Sequence, residues 1–264
     1  MALRRILKYF AKMAPALLAL GWPQISFAAP PPAIAVAASM SEAASEIAEM
    51  FARETGQKVR LSVGASGNFA RQIVQGAPFE LILAADEETI AMLAGEGWTR
   101  GPGATYALGR LALFVPANSP VALDAELKGL AGALQRGEVR RVAIANPEHA
   151  PYGRAAREAL RRAGLWQALE GRLALGENVA QAAQFAQIGA AEAGLIAYST
   201  ARAPALSARG RYVLVREDWY APIRQRMVLL ARAGPVAAAF YAYLLGPSAQ
   251  AVIERHGFAL PRDS

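Results

Sequence analysis

The chain has 264 residues, 54% of them hydrophobic, with a formal net charge of +7, two histidines and no cysteine. Without cysteine there is no disulfide, no thiol nucleophile, no thiolate metal site and no lipid anchor on an N-terminal cysteine. The basic residues are spread along helical stretches, as with Arg154, Arg157, Arg161 and Arg162, which read as a solvated face. That spread argues against nucleic acid, whose binders concentrate their charge in a patch.

In chain order, Arg4, Arg5, Lys8 and Lys12 come first, then a short apolar core over Ala14–Leu20, then Ser26-Phe27-Ala28. This is the pattern of a secretory signal peptide over residues 1–28, with cleavage expected after Ala28. The apolar run is well short of the roughly 20 residues that span a bilayer. The leader carries four basic and no acidic side chains, so the mature chain falls from +7 to +3, a mild balance that draws anions inward. The expected location is the periplasm of a cell with an outer membrane.

Pro30-Pro31-Pro32 mark the exit from the leader, and no repeat or other low-complexity tract follows. Ala33–Ala38 reads as a strand, and Ser39 and Ser41 precede a helix with Ile47, Met50 and Phe51 at helical spacing. Val59–Val63 is a second strand, running through Gly64-Ala65-Ser66-Gly67-Asn68 into a helix with Phe69, Ile73 and Val74. Leu81–Ala85 is a third, and Asp86 begins the helix of Ile90 and Leu93. The alternation implies a largely parallel sheet with helices on its faces, whose ligands sit beyond the carboxyl ends of the strands. Ser39 and Ser66 fall at those ends.

Arg110–Val115 is a further strand. A second α/β series follows, with a strand at Val142–Ala145, helices at Arg154–Leu165 and Val179–Ile188, and a strand at Gly194–Tyr198; Val213 and Val215 close it. A strand at Met227–Leu230 and helices at Val236–Leu245 and Ser248–Arg255 end the chain. The fold class is therefore α/β with two lobes, each a mostly parallel sheet flanked by helices, and a ligand cleft between them. Residues 30–109 with 217–264 form the first lobe and 110–216 the second.

Catalysis finds little support. His149 lies in a turn and His256 at a helix end, no serine sits in a nucleophile elbow, and there is no phosphate-cradling glycine loop with lysine. An oxyanion site needs less. A helix start offers free N–H groups and the positive end of its dipole, and a serine there adds a hydroxyl. Two such starts surround a dianion with neutral donors, without burying a paired charge. A serine at a helix start is, on its own, a cap.

Segment order adds to this. Ala37-Ala38-Ser39-Met40, Gly64-Ala65-Ser66-Gly67-Asn68-Phe69-Ala70-Arg71-Gln72-Ile73 and Gly76-Ala77-Pro78-Phe79-Glu80-Leu81 resemble the opening lobe of the periplasmic molybdate-binding proteins of ABC transporters. So do Asn146-Pro147-Glu148-His149-Ala150-Pro151-Tyr152-Gly153, Glu177-Asn178-Val179, Gly194-Leu195-Ile196-Ala197-Tyr198-Ser199 and the ending from Phe240 to Gly257-Phe258. The resemblance runs from about Ala33 to Pro261. It implies a hinge-closing binding protein, a monomer without cofactor, that hands its ligand to membrane permease and ATPase subunits. It also implies the site: Ser39 and Ser66 donating through hydroxyls and amides, Tyr152 and Val179 through backbone N–H groups, and Tyr198 through its hydroxyl. The chain departs from the family in keeping a single serine in the Ala65-Ser66-Gly67-Asn68 loop, and in carrying Tyr152 where some members have a small residue. Read without the resemblance, Tyr198 is a strand-end tyrosine that packs its ring, and Val179 is a core valine.

None of the five positions is acidic, so nothing would accept the proton that phosphate keeps near neutral pH. A fully deprotonated dianion fits better: molybdate, tungstate or sulfate. Size and donor geometry separate these, and only the resemblance favours molybdate, with tungstate, over sulfate. A ligand-sensing effector domain of a regulator would share the architecture, but the leader and the lack of a helix-turn-helix argue against it. A ferric-ion carrier could recruit Tyr198, Tyr212 and Tyr220, yet no adjacent tyrosine pair is present. An enzyme on this fold lacks an acid–base set.

Overall fold

The structure is a computed structural model, and it describes residues 30–261. The expected leader and its cleavage point lie outside them. The first half runs β1 (Ala33–Ala37), α1 (Ser41–Thr55), β2 (Arg60–Gly64), α2 (Ser66–Val74), β3 (Phe79–Ala84), α3 (Glu87–Gly95), β4 (Ala104–Gly109), β5 (Leu111–Pro116) and α4 (Lys128–Gln135). The second runs β6 (Val142–Ala145), α5 (Pro151–Arg162), β7 (Leu173–Gly176), α6 (Val179–Gln187), β8 (Ala193–Ala197), α7 (Tyr198–Arg202), α8 (Pro204–Ser207), β9 (Gly210–Leu214), β10 (Ile223–Leu229), α9 (Pro235–Leu244) and α10 (Pro247–Arg255).

The strands form two five-stranded sheets, ordered β2-β1-β3-β10-β4 and β7-β6-β8-β5-β9. Both are mixed. In the first, β1 pairs in parallel with β2 and β3, and β10 enters antiparallel between β3 and β4. In the second, β6 pairs in parallel with β7 and β8, and β5 enters antiparallel between β8 and β9. The expectation of mostly parallel sheets holds, since four of the five strands in each run the same way. Each sheet receives one reversed strand because the chain crosses between the sheets there, directly from β4 into β5 and from β9 into β10.

The alternation of side chains along a strand divides the first lobe's core. Ile34, Val36, Leu81 and Leu83 face Ile47 and Phe51 of α1 and Phe240 of α9. Ala35, Ile82 and Val228 face the other way, onto Phe69 and Ile73 of α2 and Ile90 and Leu93 of α3. In the second lobe Leu111–Val115 and Val142–Ala145 are buried throughout, as strands covered on both faces must be.

Five elements were absent from the sequence reading: β4, β7, α4 and the short helices α7 and α8. β4 follows Gly101-Pro102-Gly103 and is separated from β5 by Arg110 alone, so the two merge into one apolar run. β7 has only four residues. α4 carries glycines at 129 and 132 and starts after Leu127 in a left-handed conformation, φ 58°. Asp124 fastens that start by accepting from the N–H groups of Glu126, Lys128 and Gly129. Two boundaries also move. α5 begins at Pro151, where a missing N–H costs nothing, so Tyr152 lies inside the helix. β8 ends at Ala197, so Tyr198 opens α7 rather than ending a strand.

Candidate functional site

Four strand-to-helix junctions, joined by Ala85 after β3, converge on one small cavity between the lobes. From the first lobe come the 3-10 turn Ala38–Met40 after β1, which holds Ser39, and the junction of β2 with α2, which holds Ser66. From the second come Ala150-Pro151-Tyr152 at the start of α5 and Asn178-Val179 at the start of α6. These are carboxyl ends of parallel strands, where ligands of open α/β sheets bind. The empty volume is about 210 Å³, its open mouth included. Only a compact ligand suits it.

No side chain lining the cavity is charged. Ser39 and Ser66 are 4% and 1% exposed. The Ser66 hydroxyl oxygen accepts from the N–H of Ala85 at 2.9 Å, tying α2 to the end of β3 and leaving the hydroxyl hydrogen to donate. No side chain caps α2 or α5. Asn178 does cap α6, but its Oδ1 accepts from Ala180 and Gln181 and leaves the N–H of Val179 aside. Three helices of nine to twelve residues thus bring positive ends toward the same space. A wider groove lined by Asp86, Glu88, Arg154 and Glu158 lies beside it. Its carboxylates would repel a dianion, so the neutral cavity is the candidate.

Tyr152 contributes more than the backbone donor expected of it. Its side chain is buried, and its hydroxyl accepts from Gln225 Nε2 at 3.3 Å, beside the Ser39 hydroxyl. Burial pushes the phenol well above its ordinary pKa, so it stays a neutral donor. Gln225, on β10 and fully buried, also donates from Nε2 to Ser39 Oγ at 3.2 Å. Its Oε1 accepts from the buried hydroxyl of Tyr106 at 2.9 Å. Sequence reasoning passed over Gln225. A signal was available: Ile223, Gln225 and Met227 share one face of a strand, an amide between two buried apolar residues.

Tyr198 does not line the cavity. With the strand ending one residue earlier, its ring packs on Tyr212 at 5.8 Å and under the Arg110 guanidinium at 4.7 Å. Its hydroxyl, at the surface, accepts from Arg202 at 3.4 Å. Of the five residues expected to hold a ligand, Ser39, Ser66, Tyr152 and Val179 line the cavity and Tyr198 does not. Arg110 also donates to the carbonyl of Gly257 at 2.8 Å, and Tyr220 takes the N–H of Leu111 at 3.0 Å, so these side chains fasten the crossing from β4 to β5.

The lobes meet around the cavity. The N–H of Gly67 donates to the carbonyl of His149 at 3.1 Å, and Ser199 Oγ donates to the carbonyl of Ser39 at 2.8 Å. Asn68 reaches Glu177 at 3.3 Å, and Arg154 pairs with Asp86 at 2.5 Å.

A family model described as bacterial extracellular solute-binding protein matches residues 33–259. The molybdate-binding protein ModA of Azotobacter vinelandii is 39% identical over 230 residues, 86% of this chain and 89% of that protein. ModA of Rhodobacter capsulatus is 37% identical over 227 residues, 85% of this chain and 86% of its own length. The solved Azotobacter vinelandii periplasmic molybdate-binding protein superimposes with a TM-score of 0.80 at 31% identity, covering 88% of this chain and all of that one.

Proposed function

The chain belongs to the bacterial extracellular solute-binding protein family, among its molybdate-binding members, and from that premise we propose that it captures molybdate, and with it tungstate, as a dehydrated dianion. The observation that carries this reading is the cavity lined from both lobes by neutral donors alone. Ser39, Ser66 and Tyr152 donate hydroxyl hydrogens, and Ser39, Ser66, Tyr152 and Val179 donate backbone N–H groups. A dianion held this way has its charge answered by dipoles fixed before it arrives, and no counter-charge needs to be desolvated.

In this account residues 30–109 with 217–264 move against residues 110–216, bending at the two crossings between the sheets. The leader 1–28 directs the chain to the periplasm, where it works as a monomer and passes its ligand to a permease and an ATPase. It performs no chemistry on the ligand and needs no cofactor.

Closure has a direct test. Small-angle scattering should show the particle contracting on saturation with molybdate, with a rise in melting temperature, since a ligand bound only by the folded state stabilises it. Identical scattering curves with and without molybdate would count against a closing cleft.

A further inference from the structure

Gln225 lies behind the cavity rather than on its wall, and its orientation is determined. The O–H of Tyr106 donates to its Oε1 at 2.9 Å, with the carbonyl of Ala84 farther off at 3.4 Å, and both Nε2 hydrogens then face Ser39 Oγ and Tyr152 Oη. An oxygen that accepts there keeps its own hydrogen for another partner. Building on the oxyanion reading above, we infer that Gln225 is a positioning residue that fixes Ser39 and Tyr152 as outward donors and so makes the site intolerant of anions that carry a proton. A hydroxyl free to rotate could accept the proton of hydrogen phosphate. A hydroxyl already accepting from a buried amide does so poorly, because offering its remaining lone pair to the ligand turns its own hydrogen away and forfeits a donor bond to the anion.

The groups facing the amide are Tyr106 on β4 and Tyr152 on α5, with Arg110 and Tyr220 acting on Tyr152 from beyond. Both facing tyrosines have their pKa values raised by burial and remain protonated, so the wild-type network should be indifferent to pH across the neutral range. Gln225→Glu places a carboxyl in the same position. Ionised, it accepts hydrogens and turns the hydroxyls away from the ligand. Burial raises its pKa, so acid should restore binding.

The test is calorimetry with molybdate and with inorganic phosphate at about pH 6 and about pH 8.5, on wild type, Gln225→Glu, the nearly isosteric Gln225→Met, and Tyr106→Phe. Wild type should bind molybdate alike at both pH values and leave phosphate unbound. Gln225→Glu should lose about a hundredfold in molybdate affinity at the higher pH and regain about tenfold at the lower. Gln225→Met should lose about tenfold at both, and in it and in Tyr106→Phe the preference for molybdate over phosphate should narrow. If Gln225→Glu fails to fold, the preference measured in Gln225→Met decides the matter. Wild-type selectivity in Gln225→Met, or a loss in folded Gln225→Glu that is the same at both pH values, overturns the inference. A wild-type protein that binds no oxyanion overturns the functional reading instead.

Discussion

Deleting the hydroxyl of Ser39, Ser66 or Tyr152 should weaken molybdate binding by about ten- to a hundredfold, since a hydrogen bond to a charged group is worth roughly 1.5–3 kcal/mol. The three positions are not equivalent. Ser39→Ala also removes an acceptor of Gln225 Nε2 and leaves a buried amide hydrogen unpaired. Ser66→Ala removes the acceptor for the N–H of Ala85. Tyr152→Phe leaves the ring packed but likewise removes an acceptor of Gln225 Nε2. Two controls accompany them. Val179→Ala keeps its backbone N–H and should change little. Tyr198→Phe loses a surface hydroxyl whose partner is Arg202, and it should bind like wild type. Titration calorimetry measures all five. Wild-type affinity in the first three, or a tenfold loss in Tyr198→Phe, would move the cage elsewhere.

A comparable loss should follow from a residue that touches no ligand. Gly67 stands in the first turn of α2, where its N–H meets the carbonyl of His149 across the cleft. A Cβ there would approach that carbonyl oxygen to 2.9 Å and His149 Cβ to 3.1 Å. The neighbour is backbone from the other lobe, so relief comes only by parting the lobes. Gly67→Val should hold them ajar, so that donors from the two halves no longer reach one anion together. We expect an affinity loss of about tenfold or more. The ligand-free protein should melt no lower, because with the lobes parted the side chain leaves His149, and valine in a helix is no worse than glycine. Calorimetry paired with scattering would register both the loss and a smaller ligand-driven contraction. Full affinity with full contraction would show that this contact does not gate closure.

Much of this was legible in the sequence, for reasons that can be named. The strand-to-helix junctions at Ser39 and Ser66 stood out because each strand is a short apolar run and each helix keeps its apolar period, as in Phe69 with Ile73. Those junctions decide where the site lies. The residues that support it were harder to see. Tyr152 read as preceding its helix because Pro151 resembles a loop residue, whereas proline fits the first helical position. Tyr198 entered the expected site through the resemblance alone; its residues by themselves read as a strand end that packs its ring, and the ring does pack on Tyr212 just after β8 ends at Ala197. Gln225 sits on a strand that reaches the first sheet from far along the chain, between Arg224 and Arg226, and the two charges mask the buried face it shares with Ile223 and Met227.

Cavity size and donor geometry, not charge, separate the tetrahedral dianions, and competition reads both at once. Native mass spectrometry of the mature chain with equimolar molybdate, tungstate, sulfate and phosphate is therefore the most direct test. A single ion bound per chain, molybdate or tungstate, with sulfate minor and phosphate absent, is the predicted spectrum. A spectrum dominated by sulfate or phosphate, or one with no bound oxyanion, would contradict the account.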